Sequence, residues 1–247
     1  MVAERPPADA ARRVLWLTPD KPNDISVGRE RIASHLEASG FNVTLRGTTL
    51  RTLRRSLGER GCYDVVVGTT RAGAIAGTLV SWVHGIPLVV DHIDPIRQLR
   101  ETSNATLARL VGWLEVVAFR RAVHVLYVYD EETNRVRRHA RAATKTALGV
   151  DADHFANPDP SALERAREQL AECGENVCIY VGGLEPIYNV SSLLDAMDHL
   201  EDWTLIILGT GSLAGEVRSA AADSERVTYL GTVPHTDVPG YLAQADV

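Results

Sequence analysis

The sequence is poor in cysteine, and the three that it has, Cys62, Cys173 and Cys178, form no C-x-x-C pair. No histidine stands at zinc-ligand spacing from any of them. A disulfide scaffold is therefore excluded in a chain of 247 residues. We expect three reduced and mostly buried thiols, which fits a reducing cytosol.

Long hydrophobic runs are also missing, since no stretch approaches the roughly 20 apolar residues that span a bilayer. The most apolar stretch, 107–129, is interrupted by charged residues and predicts a buried helix followed by a strand. The first 13 residues are polar and rich in Pro and Ala, unlike a secretory signal peptide. We therefore expect a cytoplasmic protein, with a peripheral contact at the inner face of the membrane left open.

The composition is that of a globular protein, with 45% apolar and 23% charged residues, and it excludes disorder as the main state. The charge is divided unevenly along the chain. Residues 1–155 contain 22 basic and 17 acidic side chains, whereas residues 156–247 contain 4 and 15. This asymmetry predicts two domains with different partners, 1–155 and 156–247.

Short apolar runs alternate with helical patterns through both parts, which indicates parallel sheets covered by helices on both faces. The sequence thus predicts an α/β protein with two Rossmann-like domains in tandem, joined by a linker over 151–160. The second domain looks incomplete, because three clear strands are followed only by the lead-in to a fourth at 245–247. The predicted strands are Arg13–Thr18, Phe41–Leu45, Tyr63–Gly68, Pro87–Asp91, Val123–Tyr129, Thr144–Leu148, Asn176–Val181, Trp203–Leu208 and Val227–Leu230.

Ligands of open α/β sheets bind at the carboxyl ends of the strands, so the loops there are the candidate sites. Gly182 and Gly183 follow one strand, and their N–H groups can face an anion unless the pair forms a plain turn. Gly209 and Gly211 belong to a G-x-G-x-x-A sequence before a helix, which favours a phosphate. NAD binding is disfavoured, because the next strand ends at Leu230 and no carboxylate follows it to bind the ribose.

Two loops of the first domain are further candidates. Gly28 and Arg29 follow the first strand and can face a phosphate, or they simply begin a solvated helix. Asp91, His92 and Asp94 follow another strand, where they can act in acid–base chemistry or position a hydroxyl, although a histidine at such a place is often structural.

Residues 48–60 predict a short amphipathic helix, with Leu50, Leu53 and Leu57 on one face and arginines beside them. Such a helix can lie on an anionic membrane surface. The alternative is an ordinary helix that faces the core with its leucines and the solvent with its arginines.

In order along the chain, the motifs of the second domain resemble those of the retaining glycosyltransferases of family four, which have the GT-B fold. Family members have Y-V-G-R-L-x-P-x-K-G where residues 180–189 read Y-V-G-G-L-E-P-I-Y-N. A G-x-G turn, an L-G-x-V-P segment and a helix ending in A-D-V then follow, matched here by 209–211, 230–234 and 245–247. The segment Val89 to Pro95 is similar to the family segment that faces the acceptor.

The resemblance implies transfer of a sugar from a nucleotide-sugar donor to a hydroxyl acceptor, with retention and without a metal or other cofactor. The acceptor is unknown, with a lipid-linked molecule and a polysaccharide as the alternatives, and no nucleic acid is expected. The resemblance places His92 and Asp94, as catalytic residues, near the acceptor. It places the donor between the domains, against Gly28, Arg29, Gly182, Gly183, Gly209, Gly211 and Val233, the last of these at the base.

Two departures from the family are notable. In the family an Arg and a Lys bind the diphosphate, and this chain has Gly183 and Tyr188 at their positions. Each charged hydrogen bond that is lost reduces the binding free energy by about 1.5–3 kcal/mol. The E-x7-E segment that follows A-D-V in the family is absent, so we expect a fragment of a longer transferase.

Two other functions stay open. The first is a catalytically inactive, glycosyltransferase-like binding or partner protein, which both departures favour. The second is another nucleotide-binding α/β enzyme such as a dehydrogenase, which the missing carboxylate after Leu230 disfavours.

Overall fold

The computed structural model describes residues 12–19, 27–171 and 173–247, without the side chains of residues 27, 28, 98, 101 and 102. The chain forms two compact units, Met1–Leu148 and Gly149–Val247. Each unit is a parallel β-sheet with helices between its strands. The predicted α/β class with two Rossmann-like sheets in series is confirmed.

The first unit has a six-stranded sheet with the order β2-β1-β3-β4-β5-β6, and every neighbouring pair is parallel. Its strands are β1 (Arg12–Leu17), β2 (Phe41–Arg46), β3 (Val65–Thr69), β4 (Leu88–His92), β5 (His124–Tyr127) and β6 (Ala143–Lys145). Its helices are α1 (Val27–Ala38), α2 (Leu50–Gly58), α3 (Thr70–His84), α4 (Ile96–Thr102), α5 (Ala105–Arg121) and α6 (Thr133–His139).

Close packing of α3 on the sheet depends on glycine. A Cβ atom on Gly68 of β3 would lie 2.3 Å from the carbonyl oxygen of Gly73 on α3, closer than any real contact. One turn further on, a Cβ atom on Gly77 would meet the Leu88 side chain at 2.9 Å. The small residues of α3 therefore bring this helix onto the apolar strands β3 and β4, and the core of the unit forms there.

The second unit has a three-stranded sheet with the order β7-β8-β9. Its strands are β7 (Asn176–Val181), β8 (Trp203–Leu208) and β9 (Val227–Gly231), and its helices are α7 (Ala152–Ala156), α8 (Pro160–Gln169), α9 (Val190–Ala196), α10 (Ala214–Asp223) and α11 (Val238–Leu242).

The last residues of the chain pair with β7 on the edge opposite β8. Ile179 N–H donates to Val247 O at 2.7 Å, and the Asp246 carboxylate accepts from Val177 N–H at 2.9 Å. The A-D-V ending thus joins the sheet, with its aspartate satisfying a strand amide.

Most predicted elements are confirmed, and β7 and β8 begin and end at the predicted residues. The predicted linker is not wholly irregular, because α7 lies inside it, capped by the Asp151 side chain. Helix α4 was not predicted, since the seven residues after Pro95 show no clear apolar period. Residues 20–26, between β1 and α1, lie outside the described residues.

None of the three cysteines forms a disulfide, but the expectation of burial is wrong for Cys62, which is exposed in the turn before β3. Cys173 and Cys178 are partly buried. Cys62 follows Gly61, whose positive φ of 76° makes the tight turn that carries the thiol outward.

Helix α2 forms as predicted, and Leu53 and Leu57 pack against the core of the first unit. Leu50 is 65% exposed, so one leucine of the predicted apolar face is free of the core. Arg51 and Arg54 are exposed. Contact of 48–60 with a membrane stays a prediction. Within the described ranges, no helix is both long enough and apolar enough to cross a bilayer.

Candidate functional site

The loops at the carboxyl ends of β7 and β8 are joined by backbone hydrogen bonds. Gly182 N–H donates to Leu208 O and Leu184 N–H donates to Thr210 O, both at 3.0 Å. Leu213 N–H, immediately before α10, donates to Leu184 O at 2.9 Å. The two glycine loops are therefore joined by backbone hydrogen bonds at this edge of the sheet.

The glycines of the G-x-G turn make this contact possible. A Cβ atom on Gly209 would lie 1.8 Å from Gly182 O, and the φ of Gly209 is +147°. A Cβ atom on Gly211 would lie 2.4 Å from Leu184 O. The sequence predicted Gly209 and Gly211 as donor-binding residues before a helix that favours a phosphate, and this stays a prediction. In the structure these glycines let two loops approach each other.

Several amides in these loops have no hydrogen-bond acceptor among the described residues. In the part of the chain that the structure describes, no acceptor is recorded for the N–H groups of Gly183, Thr210 and Gly211. They lie beside the N-terminal end of α10, where the helix dipole favours negative charge. The loops thus offer an anion several backbone donors.

The Glu185 carboxylate is bound by the loop that precedes α10. Glu185 accepts from Ser212 N–H at 3.1 Å and from the Ser212 hydroxyl at 2.5 Å. These hydrogen bonds from Ser212 hold the pKa of Glu185 below its ordinary value. The contact indicates that the loop before α10 accepts an anionic oxygen.

Gly183 and Tyr188, where the family has its two cations, lie side by side. A Cβ atom on Gly183 would meet the ring of Tyr188 at 3.0 Å, and that ring is 56% exposed. Tyr180 donates its hydroxyl proton to Gly183 O at 2.8 Å and fixes the loop from the other side. The two departures from the family pattern therefore fall at one point of the surface.

Each of the four arginines of the second unit already has a partner within that unit. Arg165 makes a bidentate pair with Asp237, at 2.8 and 3.1 Å, and Arg226 donates to the carbonyl oxygens of Met197 and Leu200. Arg218 lies over the Tyr229 ring at 5.8 Å, and the Tyr229 hydroxyl donates to Gly209 O at 3.0 Å. Arg218 is thus the cation linked to the glycine turn through one side chain. Arg167 faces Glu164 at 3.9 Å.

The loop after β9 is bounded by Val233 and His235. Val233 packs against the core beneath β7 and β8. The ring of His235 stacks on that of His154 of α7 at 5.9 Å, and Phe155 meets His235 edge-on. Val233 as a contact of the base stays a prediction.

In the first unit, Arg29 lies in the first turn of α1, next to Gly28, and pairs with Asp91 at 3.2 Å. Asp91 also accepts from the Thr69 hydroxyl at 3.0 Å, and Thr69 in turn accepts from Trp16 Nε1. Arg29 is therefore tied to the carboxyl ends of β1, β3 and β4. Its charge is already balanced by a buried carboxylate.

His92 is only 2% exposed and lies between two carboxylates. Its Nε2 is 2.9 Å from Glu132 Oε2, and its Nδ1 is 3.8 Å from Glu115 Oε1. Arg135 donates to both carboxylates, at 2.8 Å to Glu132 and 2.6 Å to Glu115. We call these four residues, with Arg71, the buried ion cluster. Both ring nitrogens of His92 face into this cluster.

The pKa of Glu132 reflects this setting. Burial alone would raise it, but hydrogen bonds from His92, from Ile96 N–H and from Arg135 outweigh burial and lower the pKa to about 2. Glu132 is therefore an ionised carboxylate that joins the end of β4, the start of α4 and helix α6.

Asp94 lies in the loop that follows β4 and is held by Arg71. Arg71 N–H donates to Asp94 Oδ2 at 3.3 Å, and its guanidinium donates to the carbonyl oxygens of Asp94 and Pro95. Arg71 Nε also lies 3.3 Å from Glu115 Oε1. The structure thus brings Asp94 and His92 to one cluster, and their catalytic role stays a prediction.

Sequence reasoning missed Arg71, Glu115, Glu132 and Arg135. The signal was present for Glu115, a carboxylate alone within an apolar helix at a position flanked by buried residues one turn away. Residues Arg71 and Arg135 carried no such signal, because arginine is frequent throughout the chain. Across the described ranges, no group of three His, Cys, Asp or Glu side chains is arranged to hold a metal ion.

Comparison with known proteins agrees with this geometry. Residues 175–247 match the family model described as glycosyl transferases group 1. The match covers β7 to the end of the chain, including both glycine loops. A search of curated proteins finds none that matches the chain.

Solved structures with the same fold include Alr3699/HepE from Anabaena in complex with UDP-glucose. It has a TM-score of 0.72 and 19% identity, over 95% of this chain and 72% of that one. Sucrose-phosphate synthase from Thermosynechococcus elongatus has a TM-score of 0.75 and 14% identity, over 95% and 74%. The catalytic domain of starch synthase IV from Arabidopsis thaliana, bound to ADP and acarbose, has a TM-score of 0.63 and 12% identity, over 96% and 77%. The fold is therefore GT-B.

Proposed function

We propose that the chain transfers a sugar from a nucleotide-sugar donor to a hydroxyl acceptor, with retention. The observation that carries the proposal is the pair of linked glycine loops in a segment that matches the group 1 glycosyltransferase model. The complexes of Alr3699/HepE with UDP and with UDP-glucose support a uridine nucleotide sugar as the first donor to test.

The donor diphosphate would be held by the amides of Gly183, Thr210 and Gly211 and by the N-terminal end of α10. These donors face the charge that develops on the leaving nucleotide, and fixed dipoles at such a place lower the barrier. The sugar transfer itself breaks the bond between the anomeric carbon and the diphosphate, and the acceptor oxygen forms the new bond. The acceptor proton leaves with the nucleotide or with a base.

In this proposal His92 acts as a positioning residue, because both ring nitrogens face carboxylates. Its place in the buried ion cluster fixes the loop that carries Asp94. Asp94, whose side chain is 25% exposed, is the residue of the two that can reach an acceptor hydroxyl.

A second function, a catalytically inactive relative that binds a partner, is favoured by the absence of cations at Gly183 and Tyr188 and by the engaged arginines of the second unit. A binding-only protein needs no charge to stabilise a leaving group. It would still keep the linked glycine loops, since these hold the fold.

Turnover separates the two functions. The full chain is incubated with UDP-glucose, and released UDP is measured with water and with simple alcohols as acceptors. Release above the uncatalysed rate, with an α-linked product seen by NMR, supports transfer with retention. Saturable binding without release supports the inactive relative, whereas binding of NADH but not of UDP-glucose would overturn both.

A further inference from the structure

A pocket opens between α4 and α5 on the first unit, away from the glycine loops in sequence and not assigned by the proposed function. Its volume is about 550 Å³, within the range of small-molecule sites. Three arginines and four small or apolar residues line it: Arg100, Arg109, Arg135, Ile96, Ala105, Ala108 and Gly112.

The pocket has an excess of positive charge. Arg135 is balanced by Glu115 and Glu132. Arg100 and Arg109 are exposed, and among the side chains that the structure describes neither has a recorded ion pair or hydrogen bond. Two uncompensated guanidinium groups match a doubly charged anion such as a phosphate monoester better than a single carboxylate. The N-terminal end of α5, capped by Asn104, adds to the positive potential at Ala105.

The surface beside the pocket is apolar. Leu107, Leu110 and Trp113 of α5 are exposed by 46%, 54% and 62%. Trp113 lies four residues after Arg109, so the two side chains are neighbours on one face of the helix. The single acidic residue of α5, Glu115, is buried and faces the ion cluster. The solvent face of α5 is therefore apolar and basic, without exposed acid.

The pocket is also connected to the loop that carries Asp94. Arg135 forms its inner wall and donates to Glu132, which accepts from His92 Nε2 and from Ile96 N–H. Ile96 lines the pocket and lies two residues after Asp94 in the chain. A ligand held here by its anionic group lies next to the candidate acceptor loop.

We propose that this pocket binds the phosphate of an amphiphilic molecule whose long apolar chain lies on the exposed Leu107–Trp113 surface of α5. As a step beyond the proposed function, and resting on it, this molecule is the acceptor, a phosphorylated lipid that carries the hydroxyl to be glycosylated. The binding itself is independent of the donor.

The test uses decyl phosphate, below its micelle concentration, titrated into the full chain without donor. Inorganic phosphate and decanol are titrated separately, so that the contributions of the anion and of the apolar chain are measured apart. We expect decyl phosphate to bind at least tenfold more tightly than inorganic phosphate or decanol. We expect Arg109→Gln and Arg100→Gln each to reduce the affinity for decyl phosphate at least tenfold. Trp113→Ala should reduce the affinity for decyl phosphate and leave the affinity for inorganic phosphate unchanged.

Arg120→Gln is the matched control, since Arg120 is an exposed arginine of the same helix that does not line the pocket. An equal loss of affinity for decyl phosphate in Arg120→Gln and Arg109→Gln would overturn the proposal, because the loss would then come from the lower net positive charge and not from the pocket. Equal binding of inorganic phosphate and decyl phosphate, or no binding of decyl phosphate, would also overturn it. UDP-glucose titrated into Arg109→Gln tests the proposed function separately, because Arg109 lies in the other unit from the glycine loops.

Discussion

Replacement of Glu132 with glutamine tests the buried ion cluster directly. Glu132 is 1% exposed and accepts hydrogen bonds from His92, Ile96 N–H and Arg135. The fall of its pKa from 4.5 to about 2 corresponds to a stabilisation of about 3 kcal/mol at neutral pH, since each pKa unit is worth about 1.4 kcal/mol. Glutamine keeps the shape of the side chain but removes the charge, and we expect the free energy of unfolding to fall by about this amount.

The pH dependence has a definite sign. Because the pKa is lowered in the folded state, the contribution of Glu132 is complete above about pH 4.5 and is lost as the pH falls towards 2. The stability difference between the wild-type chain and Glu132→Gln should therefore shrink over that interval. At pH 7 the melting temperature should fall by roughly 6–12 °C, measured by circular dichroism.

The neighbouring Glu131→Gln is the matched control, because Glu131 is exposed and has no recorded partner within the described residues. It should change the melting temperature by no more than about 2 °C. Equal effects of the two substitutions, or a difference that does not shrink in acid, would refute the argument that Glu132 is held ionised by His92, Ile96 and Arg135.

Gly209→Ala places a methyl group against Gly182 O and should reduce the free energy of unfolding by at least about 2 kcal/mol, while Gly215→Ala, where nothing lies within 4 Å, should leave it equal or raise it by up to about 1 kcal/mol. The double change Gly183→Arg with Tyr188→Lys should tighten UDP-glucose binding at least tenfold by calorimetry, since two charged hydrogen bonds contribute about 1.5–3 kcal/mol each, and unchanged affinity would place the diphosphate elsewhere. Glutamate in place of the three arginines of α2 should reduce sedimentation with anionic liposomes if 48–60 contacts the membrane, and equal sedimentation of both proteins would remove that contact.

The strands were predictable because buried parallel strands are continuous apolar runs with turns on both sides. This applies to β7 and β8, whose bounds match the predicted ones. Short helices were harder, because α4 and α7 have seven and five residues, too few to show a helical period. Their position depends on contacts such as the hydrogen bond from Ile96 N–H to Glu132, which joins residues distant in sequence.

The candidate site was predictable in its place but not in its partners. The glycine loops and the His92 loop lie at strand ends, as the topology requires. The partners of His92 come from α5 and from the turn before α6, and a single sequence contains no signal that joins them. The same limit applies to the role of Gly209 and Gly211, since the sequence does not distinguish a backbone that approaches a ligand from one that approaches another loop.

A donor held by the linked glycine loops is tested by titrating UDP-glucose into the full chain and into Gly183→Val, with Gly149→Ala, where a Cβ atom meets nothing within 4 Å, as the control. Gly183→Val is suited to the purpose because a Cβ atom on Gly183 meets the exposed ring of Tyr188 and not the backbone of a neighbouring loop. We expect saturable binding by the wild-type chain and by Gly149→Ala, and at least a tenfold loss of affinity in Gly183→Val while its melting temperature is kept. No binding by the wild-type chain, or equal affinity in all three proteins, would contradict a donor held by the linked glycine loops.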